Sequence, residues 1–164
     1  MLNWMKDKGN EVRARLTAEV SKFKNRAFME ATVASCALVA SADGTISSEE
    51  KQKMAGFMRN SDELKHFAMP EVISFFEKVV GNFDFDVAIG RAEALKVIGR
   101  LRGNAEQARV MVRVACAIGA SDGNFDQKER AVVRDICVEL GLNPVDGLDL
   151  SGRLVRMTAA ATGR

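Results

Sequence analysis

ASADGTISSEEK, residues 40–51, returns 79 positions later as GASDGNFDQKER, residues 119–130. Each copy has an Asp-Gly pair, and in each a Glu follows the Asp seven residues later. Each copy also lies between an apolar run rich in small residues and an apolar pattern with helical spacing. A unit repeated at this distance predicts two similar helical hairpins within one domain.

The repeated stretch has the chemistry of a capped helix turn. Gly44 stands where a helix end favours a residue that can adopt positive φ. Ser47 and Glu50 form the S-x-x-E pattern of a capping box for the next helix. The second copy repeats this logic with Gly123 and with Asp126 in place of serine. Two capped turns are therefore one interpretation of the repeat.

The second interpretation is a cation site, because the stretch is similar to the second half of an EF-hand loop. The first two ligand positions of such a loop would fall at Val39 and Ser41, and at Ile118 and Ala120. None of these is a carboxylate, so a complete EF-hand is excluded in both copies. If the two hairpins pack around a two-fold axis, the two half-loops could still supply one divalent cation together, since such ions need several oxygen ligands.

Further acidic residues lie between the two copies. Asp84 and Asp86 flank the predicted start of a helix, and Glu93 lies about two turns beyond Asp86 on the same face. They are candidates for the same acidic cluster, although Asp84 or Asp86 could serve only as a helix N-cap.

Composition predicts a soluble single domain. The chain has 164 residues, of which 47% are hydrophobic and 28% charged, enough to bury a sizeable core. Residues 1–30 and 151–164 each carry a net charge of +3, while residues 31–150 carry −4. Because the body is acidic, this charge distribution argues against a general nucleic-acid binder.

Cysteine usage and hydropathy favour a cytoplasmic protein. Cys36, Cys116 and Cys137 lie in apolar helical patterns without metal-ligand spacing, which predicts buried, reduced thiols. The apolar run at residues 31–40 is about half as long as a bilayer requires. Residues 1–20 lack the continuous apolar segment of a secretory signal.

Helical spacing recurs along the whole chain. Residues 1–24 predict a basic amphipathic helix that packs on its own domain or lies against a membrane or partner. A helix from about residue 25 to 42 precedes the first turn, and another follows it to about residue 59. The remaining pattern predicts helices at about 61–67, 70–81, 85–102, 105–121 and 127–140, with a loop at residues 82–84.

Enzyme signatures are sparse in the sequence. His66 is the single histidine and has no adjacent nucleophile pattern, and no phosphate-binding glycine loop occurs. Paired carboxylates could perform acid–base chemistry, but no pattern defines a substrate pocket. The sequence therefore predicts a protein that is not an enzyme.

Several motifs together resemble the bacterial TerB family of tellurite-resistance proteins. They are the sequence Phe23-Lys24-Asn25 followed by Phe28-Met29, the two repeated stretches, and the sequence Phe83-Asp84-Phe85-Asp86. The likeness covers about residues 20–150 in the same order. It implies an all-α fold of seven or eight helices with pseudo-two-fold related hairpins. The residue pattern divides the chain into an amphipathic N-terminal helix at 1–24, this helical domain at 25–150 and a mobile basic tail at 151–164.

The resemblance also implies a function and a site. Proteins of this kind are thought to be non-enzymatic adaptors in a tellurite and stress resistance system, linking a membrane TerC-like protein to cytoplasmic TerD-like calcium-binding proteins near the inner face of the membrane. No nucleic acid is expected as a partner. The family's acidic cluster, thought to bind a divalent cation such as calcium, would map onto Asp43, Glu50, Asp84, Asp86, Glu93, Asp122, Asp126 and Glu129.

The alternative function is direct handling or reduction of tellurium oxyanions. Oxyanions favour helix N-termini and cationic side chains, whereas the shared cluster is acidic. Reduction also needs an exposed thiol of low pKa, and the three cysteines lie in apolar settings.

Overall fold

The computed structural model describes residues 25–44, 46–60, 64–119 and 127–143, together with Ala14 and Ala18, which are both helical. Within these ranges the chain is helical, with no strand, so the all-α class predicted from the sequence is confirmed. The α-helices are α1 (Arg26–Ala40), α2 (Ser48–Asn60), α3 (Met69–Phe85), α4 (Val87–Ile98), α5 (Ala105–Gly119) and α6 (Gln127–Glu139). Short 3₁₀ turns cover Ser41–Asp43 and Gly99–Leu101.

Helix α1 is the centre of the domain. It begins where the sequence predicts, and the side-chain oxygen of Asn25 caps it by accepting a hydrogen bond from the Phe28 amide at 2.8 Å. Eleven of its fifteen residues are buried, and it contacts α3, α4, α5 and α6. Many of the buried residues are alanine, serine or cysteine, which let neighbouring helices approach closely. The hydroxyl of Ser35 accordingly donates to the sulfur of Met111 on α5 at 3.2 Å.

The first repeated stretch folds as the capped turn that the sequence predicts. After the 3₁₀ turn, Gly44 adopts a φ of 113°, a conformation that favours glycine. The Ser47 hydroxyl accepts from the Glu50 amide at 3.1 Å, and a Glu50 carboxylate oxygen accepts from the Ser47 amide at 3.3 Å. This reciprocal pair is a complete capping box, and it starts α2.

The predicted loop at residues 82–84 is wrong. Helix α3, with Pro70 in its first turn, continues to Phe85, because Phe83 is buried in the core and only a helical backbone places it there. Asp86 then has an extended backbone, and its side chain accepts from the Ile89 amide at 3.0 Å as the N-cap of α4.

Helix α4 packs through Gly90, Ala94 and Ile98, which are buried. Gly90 lies so close to α3 that a Cβ built there would come within 2.7 Å of the Phe83 backbone. The helix therefore approaches its neighbour more closely than any side chain would allow. In the 3₁₀ turn that follows α4, the guanidinium of Arg100 pairs with Glu30 of α1 at 3.2 Å.

Of the predicted second hairpin, the structure describes the two helices, α5 and α6. The Asn104 side chain caps α5 by accepting from the Gln107 amide at 3.2 Å, as predicted. At the end of α6, Gly141 has a φ of 71°, and the amides of Gly141 and Leu142 donate back to Val138 and Cys137. These two bonds form a Schellman motif, which fixes the predicted end of the helix.

Some sequence predictions lie outside the described residues. These are the amphipathic helix at 1–24 apart from two residues, the turn at 120–126, and the tail at 151–164. The first helices of the two hairpins, α1 and α5, contact each other. The pseudo-two-fold relation between the hairpins stays a prediction.

Candidate functional site

The acidic residues of the first repeat stand on the turn between α1 and α2. Asp43 ends the 3₁₀ turn, and its side chain lies outside the described part of the chain. Glu50 is exposed and uses one carboxylate oxygen in the capping box. The capped turn is thus present, and it leaves the outer side of the Glu50 carboxylate facing solvent.

Asp84 is held against this turn by an ion pair. Both of its carboxylate oxygens accept from the Lys51 ammonium, at 2.8 and 2.7 Å. Lys51 follows Glu50 directly, so the contact brings the first repeat next to the end of α3. A cation that binds Asp84 would have to compete with this ammonium group for the carboxylate.

Asp86 and Glu93 have different roles on α4. Asp86 is the N-cap, which is the alternative that the sequence left open for it. Glu93 is exposed and forms no ion pair with any residue that the structure describes. Of these two carboxylates, only Asp86 has a hydrogen-bond partner among the residues that the structure describes.

The second repeat is described only at its last acidic position. Asp122 and Asp126 lie outside the described residues, whereas Glu129 is half-buried in the first turn of α6. The 3₁₀ turn that ends at Asp43 contacts α6. The turn of the first repeat therefore lies against the helix that begins within the second repeat.

No ligand set is complete within the described part of the chain. Over these residues, no three Asp, Glu, His or Cys side chains come together as metal ligands. The Asp43 side chain, Asp122 and Asp126 belong to the predicted cluster but fall outside the described structure. The convergence of the two repeats on one cation stays a prediction.

The three cysteines are buried and form no disulfide, as the sequence predicts. The pKa of the Cys36 thiol is raised to about 12, mainly by burial and to a lesser extent by the neighbouring Cys116 thiol. The pKa of the Cys116 thiol is likewise raised to about 12, mainly by burial and to a lesser extent by Cys137. At pH 7 these thiols are therefore protonated. Since the thiolate is the nucleophile, Cys36 and Cys116 have little reactivity in the folded protein.

Two features were missed by reasoning from the sequence. One is the set of ion pairs between distant residues, Lys51 with Asp84 and Arg91 with Asp135. The other is the exposure of Phe85. A signal for it exists, because residues two apart on a helix point in opposite directions, so Phe83 and Phe85 cannot both face the core.

The described helices define an all-α domain packed around α1. The chain belongs to the TerB family, whose profile, described as "Tellurite resistance protein TerB", matches residues 29–150. A similar relative is the "Tellurium resistance protein TerB" of Alcaligenes sp, 51% identical over 102 residues that cover 62% of this chain and 84% of the relative. No solved structure matches the chain. Over the described residues, no helix has both the length and the apolar character to span a bilayer.

Proposed function

We propose that this protein is a non-enzymatic adaptor of a tellurite and stress resistance system. It binds protein partners through an acidic face, and a divalent cation takes part in that binding. The ligands are drawn from the two repeats and from the helix ends between them: Asp43, Glu50, Asp84, Asp86, Glu93, Asp122, Asp126 and Glu129.

One observation carries this proposal: the turn of the first repeat contacts α6. Because α6 begins within the second repeat and carries Glu129, its last acidic residue, this contact brings an element of the second repeat against the turn of the first, which supports a shared site. Hard divalent cations need several oxygen ligands, about six to eight for calcium. Neither copy has that many alone. Membership of the TerB family supports the link to tellurite resistance.

A cation titration tests the metal part of the proposal. Calcium, magnesium, manganese and zinc are titrated by calorimetry into the full chain and into an Asp43→Asn/Asp122→Asn double variant. Asp135→Asn is the matched control, because Asp135 is an exposed acid that pairs with Arg91 on α4. We expect saturable binding to the wild type and the control, weakened at least tenfold in the double variant. No saturable binding, or equal binding by all three proteins, contradicts the metal part.

A partner test addresses the adaptor part. The expected partners are other tellurite-resistance proteins, a TerC-like membrane protein and TerD-like cytoplasmic proteins, with the chain cytoplasmic at the inner face of the membrane. Purified candidates are captured with the full chain in the presence of cation and again with chelator. Capture that is lost with chelator, and lost with the double variant, supports the adaptor. Failure to bind either partner under both conditions contradicts it.

The alternative, reduction of tellurium oxyanions by this chain, has weaker physical support. A thiol that reduces an oxyanion must be reachable and ionised, whereas Cys36 and Cys116 are fully buried with raised pKa values. The adaptor is accordingly the function that the described geometry favours.

A further inference from the structure

Helix α2 is attached to the domain by few side chains. Among the described helices it packs mainly against α3. Of the α2 side chains that the structure describes, two are buried, Met54 at 9% exposure and Met58 at 0%. Lys51 adds the ion pair with Asp84 at the end of α3. Because Lys51, Met54 and Met58 follow the spacing i, i+3, i+7, they lie on one face of α2, which is the face toward α3.

Both buried anchors of α2 are therefore methionines. The other described α-helices bury mainly aliphatic, aromatic or small side chains. A thioether sulfur can be oxidised to a polar sulfoxide, whereas a hydrocarbon side chain has no comparable reaction. The attachment of α2 is thus the part of the described core whose packing an oxidant can change.

The packing of α2 also favours its opening as a unit. Eleven of the fifteen residues of α1 are buried, so α1 stays folded until the whole domain unfolds. In α2, by contrast, Gly56 lies in the helix interior and weakens it, although nothing lies within 4 Å of a Cβ built there. We therefore expect α2 to separate from α3 while α1 remains folded, and each opening exposes the sulfur atoms of Met54 and Met58.

The buried cysteines are poor competitors for the same oxidant. A cysteine reacts as its thiolate, and burial keeps the thiols of Cys36 and Cys116 protonated. A thioether carries no ionisable proton, so its oxidation is limited by access alone. Access is what the opening of α2 supplies.

We propose that Met54 and Met58 form an oxidant-sensitive site that releases α2 from the domain. Hydrogen peroxide transfers one oxygen atom to each sulfur: the S–O bond forms, the O–O bond breaks, the sulfur loses two electrons, and the other peroxide oxygen leaves as water. Burying the polar sulfoxide without a hydrogen bond is unfavourable, so the oxidised helix does not close again. Reduction by a methionine sulfoxide reductase restores both anchors.

The oxidation rates within the wild-type protein give the first test. The full chain is treated with hydrogen peroxide, and peptide mass spectrometry follows sulfoxide formation at each methionine over time. Met58 and Met111 are a matched pair, because both are 0% exposed, while Met111 lies on α5 and its sulfur accepts from the Ser35 hydroxyl of α1. We expect Met58 to be oxidised about tenfold faster or more. Equal rates at the two methionines overturn the proposal.

Hydrogen–deuterium exchange of the oxidised protein tests the release of α2. We expect the α2 amides to exchange about tenfold faster or more after peroxide treatment, with α1 unchanged. Met54→Leu/Met58→Leu keeps the apolar volume but lacks the oxidisable sulfur, so its α2 should not respond to peroxide. Met69→Leu is the control, because half-buried Met69 begins α3 and its loss should leave the response of α2 intact.

Loosening of α2 by peroxide to the same extent in the double variant overturns the proposal. Far-UV circular dichroism verifies that the variants fold. If the double variant does not fold, the rates at Met58 and Met111 in the wild type decide the question alone.

A glycine substitution separates opening of α2 from the chemistry of its methionines. Gly56→Ala strengthens the helix without changing either sulfur, and it should slow the oxidation of Met58 several-fold. Gly81→Ala in α3 should leave that rate nearly unchanged. An unchanged or faster rate in Gly56→Ala overturns the proposal. None of the proposed cation ligands is a methionine, so the cation titration and the peroxide treatment can succeed or fail separately.

Discussion

Replacing Gly90 with alanine tests whether the α3–α4 corner is as closely packed as described. In a helix interior this change normally stabilises by about 1 kcal/mol, because glycine has the greater freedom to lose on folding. At Gly90, however, the new Cβ would lie 2.7 Å from the Cα, N and Cγ atoms of Phe83. Two of these are backbone atoms, so α4 must move away, and overpacking of this kind costs about 3 kcal/mol. The expected net loss of stability is about 2 kcal/mol.

Gly81→Ala is the matched control, since it lies in α3 of the same hairpin with nothing within 4 Å of the new Cβ. It should stabilise by about 1 kcal/mol, which makes the two variants differ by about 3 kcal/mol. For a chain of this size the difference corresponds to roughly 6–12 °C in Tm. Urea denaturation followed by circular dichroism at 222 nm measures both. If Gly90→Ala proves as stable as Gly81→Ala, the close packing at the corner is refuted.

Three further outcomes are expected. Ser47→Ala removes the hydroxyl of the capping box and should lower the free energy of unfolding by about 1 kcal/mol, whereas Ser48→Ala, one position on, should change it little; equal losses would contradict the box. Phe28→Ala, at a fully buried position, should cost about 3–5 kcal/mol in chemical denaturation, and a loss under about 1 kcal/mol would contradict its place in the core. In the folded protein the thiols of Cys36 and Cys116 stay neutral up to about pH 12, whereas in the unfolded chain they ionise near the usual pKa of 9.0. Because ionisation then favours the unfolded state, stability should fall as pH rises from 9 to 12. A Cys36→Ala/Cys116→Ala variant should show a shallower fall over that window, and an unchanged slope would count against the raised pKa values.

Local signals allowed most helix ends to be predicted. A cap involves residues within four positions of each other, so Asn25, Ser47 and Asn104 carry their evidence in the adjacent sequence. The same holds for Gly44 and Gly141, whose positive φ few other residues adopt readily. These predictions were confirmed because local chemistry alone determines them.

The wrong loop at residues 82–84 has a tertiary cause. Gly81 and Asn82 are poor helix formers, and their sequence suggests a helix end. The gain from burying Phe83 under α4 outweighs this weak local preference, which is about 1 kcal/mol for the glycine. Such competition depends on a partner helix that the local sequence does not reveal.

Acidic residue types could be recognised in the sequence, but their pairing could not. Lys51 and Asp84 are 33 positions apart, and no periodicity links them. Likewise, Asp86 caps α4 because the helix begins at Val87, while Glu93 lies inside the helix and is not a cap. The sequence thus identified candidate carboxylates, while the helix arrangement determined which of them are engaged.

The central position of α1 has a consequence for hydrogen exchange. An amide in a helix enclosed by four others exchanges with solvent only when the whole domain unfolds. Deuterium uptake at Val33, Leu38 and Val39 should therefore report the global free energy of unfolding. Gly44 and Ser47 of the capped turn are exposed, and their amides are expected to open without that cost. Protection that a cation adds at the turn can thus be measured separately from the stability of the domain, within one molecule and one experiment.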